Sequence, residues 1–352
     1  MFTIIVRYPA KNLVLRTEGD DWQAGVRPSR SDGETHHFHL DYDQPTLSFK
    51  PCLERKGELH WAIGADMVAV NRQKIIVYPR FFEAAGRLEP AADVTSWWGE
   101  SYRIRVLLPA GYEENRLRRY PVVYMQDAAN LFEPQEAFLG QTWQVGESLE
   151  KLVHLGALNE FIVVGVYPND RHQNYTAPGY HAYGRFVTQA LVPHIDNHYR
   201  TLAEPGQRLV MGSSLGGVVS FFLAWEYPEI FGAVAAMSST FSYRDDLLER
   251  VMAETPRDLR VYLDSGAPGD NYRVTREMAL ALERAGFAPG RDFCHLTFPD
   301  HRHDERSWAE RFPLALQFLA RREVAVEIWP DSPKVVPLRI RRRRRPAALR
   351  SR

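Results

Sequence analysis

The 352-residue sequence has only two cysteines, Cys52 and Cys294. They lie far apart and belong to no cluster with metal-ligand spacing, which excludes a disulfide framework and fits a reducing compartment or two buried thiols. A surplus of one charge sign is also missing, because 44 Lys and Arg balance 44 Asp and Glu. No run of 18 apolar residues occurs, so no membrane-spanning helix is expected. The start, Met1-Phe-Thr-Ile-Ile-Val-Arg-Tyr-Pro, lacks the basic segment and apolar stretch of a secretory leader. A cytoplasmic protein is expected.

The neutrality is uneven along the chain. Nine basic residues and no acidic one fall within 333–352, so the preceding part carries a net charge of −9. A body of that sign is a poor match for nucleic acid, and no specific nucleic-acid partner is expected. The run Arg341–Arg345 has no interleaved aromatics, and 323–352 is read as a basic, solvated extension.

What is present divides into two rhythms. Up to about residue 80, short alternating runs at Phe2–Tyr8, Leu13–Thr17, His36–Leu40, Thr46–Leu53, Leu59–Ile63 and Ile75–Pro79 have the period of half-buried strands. They predict a small β-sandwich over 1–80. His36-His37-Phe-His39 lies in one such strand and is read as an exposed strand rather than a metal tract. Gly86, Pro90 and a polar mix make 81–100 a linker, in which Trp97-Trp98 packs onto the following domain.

From about 101 to 322, strand-like runs alternate with helical ones. Continuous apolar strands such as Ile162-Val-Val-Gly-Val are what a parallel sheet covered on both faces requires, so a doubly wound α/β domain is expected. Ligands bind such sheets at the carboxyl ends of their strands.

The sharpest local feature is Gly212-Ser213-Ser214-Leu215-Gly216-Gly217, between the apolar run Leu209-Val-Met and a predicted helix from Leu215. A strand turning abruptly into a helix crowds its backbone, and glycines two before and two after Ser214 remove the side chains that would clash. Ser214 is thereby a candidate nucleophile, and Leu215 N–H, at the helix start, a candidate oxyanion donor. The loop after Val122-Val-Tyr-Met offers the N–H of Ala128 or Ala129 as the second donor.

A serine nucleophile needs a base. Past the last predicted strand the sequence reads Phe298-Pro-Asp-His301-Arg-His303-Asp-Glu-Arg-Ser-Trp308. His303, directly before a helix, is the preferred base, with His301 as the alternative. For the acid, the loop after Val261-Tyr-Leu offers Asp264 and Asp270. Either can serve; Asp270 is preferred because it lies deeper in the loop, while Asp264 is expected to hold the loop by local hydrogen bonds. Asp304 and Glu305 are read as helix caps. Neither a cofactor nor a metal is needed for this chemistry.

Together with this elbow, Tyr120-Pro-Val-Val-Tyr-Met-Gln-Asp-Ala-Ala-Asn-Leu-Phe, Arg171 with Asn174-Tyr-Thr, Pro193-His-Ile-Asp-Asn-His-Tyr-Arg200 and His303-Asp-Glu-Arg-Ser-Trp308 resemble the putative-esterase family. That family includes enterochelin, feruloyl and acetylxylan esterases, S-formylglutathione hydrolase and the mycolyltransferases. The resemblance covers about 95–320 and implies an α/β-hydrolase fold with Ser214, His303 and the Asp270 position in the catalytic roles. It also implies substrate contacts for Asp127 and Arg171. Relatives commonly read His-Asp-Gly where this chain has Gln126-Asp127-Ala128, and Glu-Tyr-Thr where it has Asn174-Tyr-Thr. Similarly, Gly19-Asp-Asp-Trp22 followed by His60-Trp61-Ala resembles the immunoglobulin-like sandwich that precedes the catalytic domain of enterochelin esterases and glycan-branching enzymes. There Trp22 and Trp61 are expected in the core, with stacking on a sugar as the other reading.

The function expected is serine hydrolysis of a small-molecule carboxylic ester, either siderophore-like or a carbohydrate acyl ester. Acyl transfer by the same three residues and a non-catalytic carbohydrate-binding or scaffold role are the competing readings.

Overall fold

The computed structural model describes residues 1–320; the basic extension 323–352 lies outside the described residues. The first 77 residues form eight strands: β1 (Phe2–Arg7), β2 (Leu13–Thr17), β3 (Arg30–Ser31), β4 (Thr35–Leu40), β5 (Thr46–Arg55), β6 (Glu58–Trp61), β7 (Met67–Val70) and β8 (Lys74–Val77). They pair into two four-stranded sheets, β3-β4-β1-β8 and β2-β5-β6 with β7 on β5. The alternation of the sequence explains the core between them. Phe2, Ile4, Val6 and Phe38 of one sheet meet Leu13, Leu15, Leu47 and Phe49 of the other.

Two expectations fail here. His36 is fully buried, 2.9 Å from Ser31 Oγ and 3.1 Å from the Tyr8 carbonyl, because the β4 register turns it inward with Phe38. Trp61 is 42% exposed and pairs with half-buried Trp22 at 6.2 Å, outside the core.

The stretch read as a linker instead carries β9 (Arg87–Leu88) and β10 (Ala92–Thr95). Both pair antiparallel with β11 (Ser101–Leu108), so the large sheet begins inside 81–100. Only Val94 of β10 is buried, which leaves no apolar periodicity to read. Trp98 packs against the core while Trp97 stays exposed.

The remaining strands are β12 (Val122–Gln126), β13 (Ile162–Val166), β14 (Arg208–Ser213), β15 (Ala233–Met237), β16 (Arg260–Ala267) and β17 (Phe293–Pro299). The nine-stranded sheet runs β10-β11-β13-β12-β14-β15-β16-β17, with β9 on β11. From β13 to β17 every pairing is parallel. Each crossover is helical: α1 (Val145–His154), α2 (Arg171–Tyr175), α3 (Gly179–Phe186), α4 (Val192–His198), α5 (Leu215–Glu226), α6 (Leu247–Ala253) and α7 (Tyr272–Ala285). Helix α8 (Glu305–Leu319) follows β17.

Val122 and Tyr124 pack on the side of α3 to α7, Val123 and Met125 on the side of α1 and α8. Both faces are therefore dry, as the continuous apolar strands require. Helix α5 is buried from Leu215 to Trp225, and each large apolar side chain so buried contributes about 1.5–3 kcal/mol. That burial anchors the helix at whose start Ser214 sits. Among the described residues, no helix is long and apolar enough to cross a membrane.

Candidate active site

Ser214 stands between β14 and α5 with φ 56° and ψ −124°, a backbone conformation that costs a non-glycine residue about 1–3 kcal/mol. Its neighbours hold it there. The Ser214 N–H donates to the Met237 carbonyl of β15 at 2.9 Å. A Cβ on Gly212 would lie 2.4 Å from the Gly216 carbonyl oxygen, and one on Gly216 would lie 2.9 Å from Asp127 Oδ2. Gly212 thus lets the strand–helix bend close, as the sequence pattern implied, and Gly216 in addition brings the elbow against the β12 loop.

Two later loops meet the serine. His303 lies between β17 and α8, where Asp304 caps the helix by accepting from Ser307 N–H at 2.8 Å. Asp270 lies between β16 and α7. The Ser214 and His303 side chains approach to 2.9 Å at Oγ and Nε2, and His303 Nδ1 stands 2.7 Å from Asp270 Oδ1. A carboxylate only accepts, so Nδ1 carries the proton and Nε2 is left to accept from the hydroxyl. The Trp308 indole meets the imidazole edge-on at 5.0 Å. His301 is turned away, with Nε2 3.5 Å from Glu310.

The two aspartates are separated by their surroundings. Burial works against the Asp270 charge, but hydrogen bonds from His303, Ser238 and the Gly266 N–H, with the Arg311 charge, outweigh it and hold the carboxyl below the usual range. Asp264 is not in a loop but in β16, fully buried, where Tyr262 OH donates to it at 3.0 Å. Burial pushes it up to about 6 despite the nearby Arg311.

Packing behind the histidine loop is tight. A Cβ on Gly266 would stand 2.0 Å from the His301 carbonyl oxygen. Gly266→Ala is expected to cost about 3 kcal/mol of stability, read as a lowered melting temperature; an unchanged melting temperature contradicts this packing.

Ser214 and His303 open onto a cleft of about 520 Å³. Phe138, Tyr167, Pro168 and Trp308 form apolar walls, and Asp127, Asn130, Arg171 and Glu305 a polar end. Arg171 is not free: its Nε and Nη2 donate to the two oxygens of Asp127 at 2.9 and 3.1 Å. Both expected contact residues therefore line the cleft as a closed ion pair. Glu305 reaches the cleft as well as starting α8, and accepts from Asn130 Nδ2 at 3.1 Å. Burial, together with Asp304 and Asp127, raises its pKa.

Of the candidate oxyanion donors, Leu215 opens α5 beside the serine. Ala128 and Ala129 lie in a single 3₁₀ turn after Asp127 (φ 57°), Ala128 buried and Ala129 lining the cleft. The residues missed by sequence reasoning, Phe138, Tyr167, Glu305 and Trp308, come from three separate segments whose meeting leaves no local pattern.

The family model described as "Putative esterase" matches residues 95–318. The chain belongs to the putative esterase family. As a member of it, the chain is a carboxylic ester hydrolase. It is 32% identical over 181 residues to the uncharacterized protein YjcH of Bacillus subtilis, spanning 50% of this chain and 71% of that one. Among solved structures, a ferulic acid esterase superposes with a TM-score of 0.56 at 20% identity, covering 67% of this chain and 99% of its own. The enterobactin esterase of Shigella flexneri superposes with a TM-score of 0.54 at 16% identity, covering 90% of this chain and 92% of its own. These likenesses establish the α/β-hydrolase-like fold with its largely parallel central sheet. The second extends beyond the family region toward the amino-terminal strands.

Proposed function

We propose that this esterase works through Ser214, His303 and Asp270 and acts on an uncharged carboxylic ester with an aromatic or other flat apolar portion. The observation that carries the reading is the chain of two hydrogen bonds, Ser214 Oγ to His303 Nε2 and His303 Nδ1 to Asp270 Oδ1, opening on the cleft.

In this mechanism His303 Nε2 takes the Ser214 proton as Oγ attacks the ester carbonyl carbon. The carbonyl oxygen becomes an oxyanion held by the N–H groups of Leu215 and Ala129. Ala129 is favoured over Ala128 because it faces the cleft. Asp270 stabilises the imidazolium, which then protonates the departing alcohol as the carbon–oxygen bond breaks. Water attacks the acyl-enzyme in the same way, giving its proton to His303; the acid leaves and Ser214 regains its hydrogen.

The cleft charges narrow the substrate. Apart from His303, Arg171 is the one cation lining it among the described residues, and Asp127 neutralises it. Glu305 adds a carboxylate, so a polyanionic ferric catecholate meets like charge. Phe138, Tyr167 and Trp308 suit a flat apolar group. The test compares kcat/KM for methyl ferulate with that for a ferric tris-catecholate trilactone. The uncharged ester is expected to be favoured by about 100-fold or more, as a like-charge juxtaposition costing several kcal/mol implies. Equal rates, or faster cleavage of the ferric trilactone, sink the substrate reading.

A further inference from the structure

Behind these three residues lies a buried polar cluster that ester hydrolysis does not by itself require. Arg311 of α8 is fully buried, as are Asp264 and Asp270. Its guanidinium lies 3.5 Å from Asp264 Oδ1 and 3.5 Å from Asp270 Oδ2. Nη2 donates to Ser238 Oγ at 2.7 Å. A guanidinium taken wholly out of water is retained only with paired charges and directed hydrogen bonds.

Ser238 turns that charge into an orientation. Its hydroxyl accepts from Arg311 Nη2 and from Trp308 Nε1, the latter at 3.0 Å. Both neighbours are donors only, so the hydroxyl's one proton must go to its third neighbour, Asp270 Oδ2, at 2.6 Å. The Gly266 N–H donates to the same oxygen at 2.6 Å. Oδ2 is thereby saturated by fixed donors, and Oδ1 is left for His303.

We infer that Arg311 is a positioning residue for the hydrolysis: balanced by Asp264 and acting through Ser238, it holds the Asp270 carboxylate ionised and aimed at His303. The inference rests on the roles proposed above for Ser214, His303 and Asp270.

The signs follow from the charges that face one another. Arg311 meets Asp264 from β16, Asp270 from the following loop and the Phe298 ring of β17 at 5.5 Å. Asp264 also meets Tyr262 OH and, with burial, raises the pKa of the nearby Cys294 thiol. His303 meets Asp270 and Ser214, with Glu305 and the Asp127–Arg171 pair lining the same cleft. With Asp264 ionised, the cluster of two carboxylates and one guanidinium presents one net negative charge to the imidazole. Asp264→Asn makes it neutral and disfavours the imidazolium, so the acidic limb of kcat/KM moves to lower pH. Arg311→Met removes the counter-charge of buried Asp264, which then takes up a proton beside Asp270, so the cluster keeps one negative charge and the limb stays near its original place. The double variant restores one negative charge and returns the limb close to its original place.

The experiment is the pH profile of p-nitrophenyl acetate hydrolysis by the full chain and the three variants, over about pH 5 to 9. A displacement of roughly one pH unit to lower pH is expected for Asp264→Asn, with its return in the double variant. A part that only fills the core changes melting temperature and leaves the limb in place. If Arg311→Met does not fold, the lowered limb of Asp264→Asn and its return in the double variant carry the test. An unmoved limb in Asp264→Asn, or no return in the double variant, overturns the inference. Fluorophosphonate labelling separates the two readings. A wild-type chain not labelled at Ser214 defeats the proposed mechanism, whereas a labelled chain with an unmoved limb in Asp264→Asn defeats only the role of Arg311.

Discussion

Ser214→Ala is expected to lower kcat for p-nitrophenyl acetate by roughly 10⁵–10⁶-fold, the loss seen when one member of a catalytic unit is removed. The hydroxyl is the atom that forms the acyl bond in the proposed mechanism, and no neighbour substitutes for it. Ser213, the adjacent hydroxyl, ends β14 within the sheet ladder. The fold should survive, because among the described residues the only hydrogen bond of the Ser214 side chain is the one to His303. Alanine meets the same strained φ of 56° as serine, so that cost is unchanged. Circular dichroism and melting temperature should match the wild type while turnover and fluorophosphonate labelling disappear. Turnover within tenfold of wild type would show that another group attacks the ester.

Much of this arrangement was legible along the chain because it is governed by local rules. The elbow is written in backbone space: Gly212 and Gly216 stand where any Cβ meets a carbonyl or carboxylate oxygen within 3 Å. The β-sheet core shows in runs such as Ile162–Val166, which must be apolar on both faces. His303 and Asp270 followed from chain order and from their places just before helices.

Features made by pairing at a distance were not legible. Strands β9 and β10 are stabilised by β11 rather than by their own sequence. The cleft walls come from loops whose course only the folded chain defines. Arg311 was hidden for another reason, since an arginine on a helix is ordinarily read as solvated. A signal did exist: it falls in the stripe Trp308, Phe312, Ala315, Leu316, Leu319, all buried, and a charge inside such a stripe demands a buried partner.

Asp270→Asn should separate the two aspartates that the sequence left open, and its expected loss in kcat is about 10⁴-fold. An amide is nearly isosteric with the carboxylate, so the argument turns on which way it points. The Oδ2 position receives two donors, the Gly266 N–H and the Ser238 hydroxyl, whose proton is directed there by Arg311 and Trp308. Only the amide oxygen satisfies that position. The NH₂ is then forced toward His303 Nδ1, where it must donate. The imidazole answers by moving its proton to Nε2, which faces Ser214 and no longer accepts. The variant thus retains fold and cleft but has lost its base through the wrong tautomer. Asp264→Asn has no such path to the imidazole and should lose far less kcat on the alkaline side of its limb. Comparison of the two variants at about pH 8 decides the matter: a greater loss in Asp264→Asn than in Asp270→Asn would move the acid to β16.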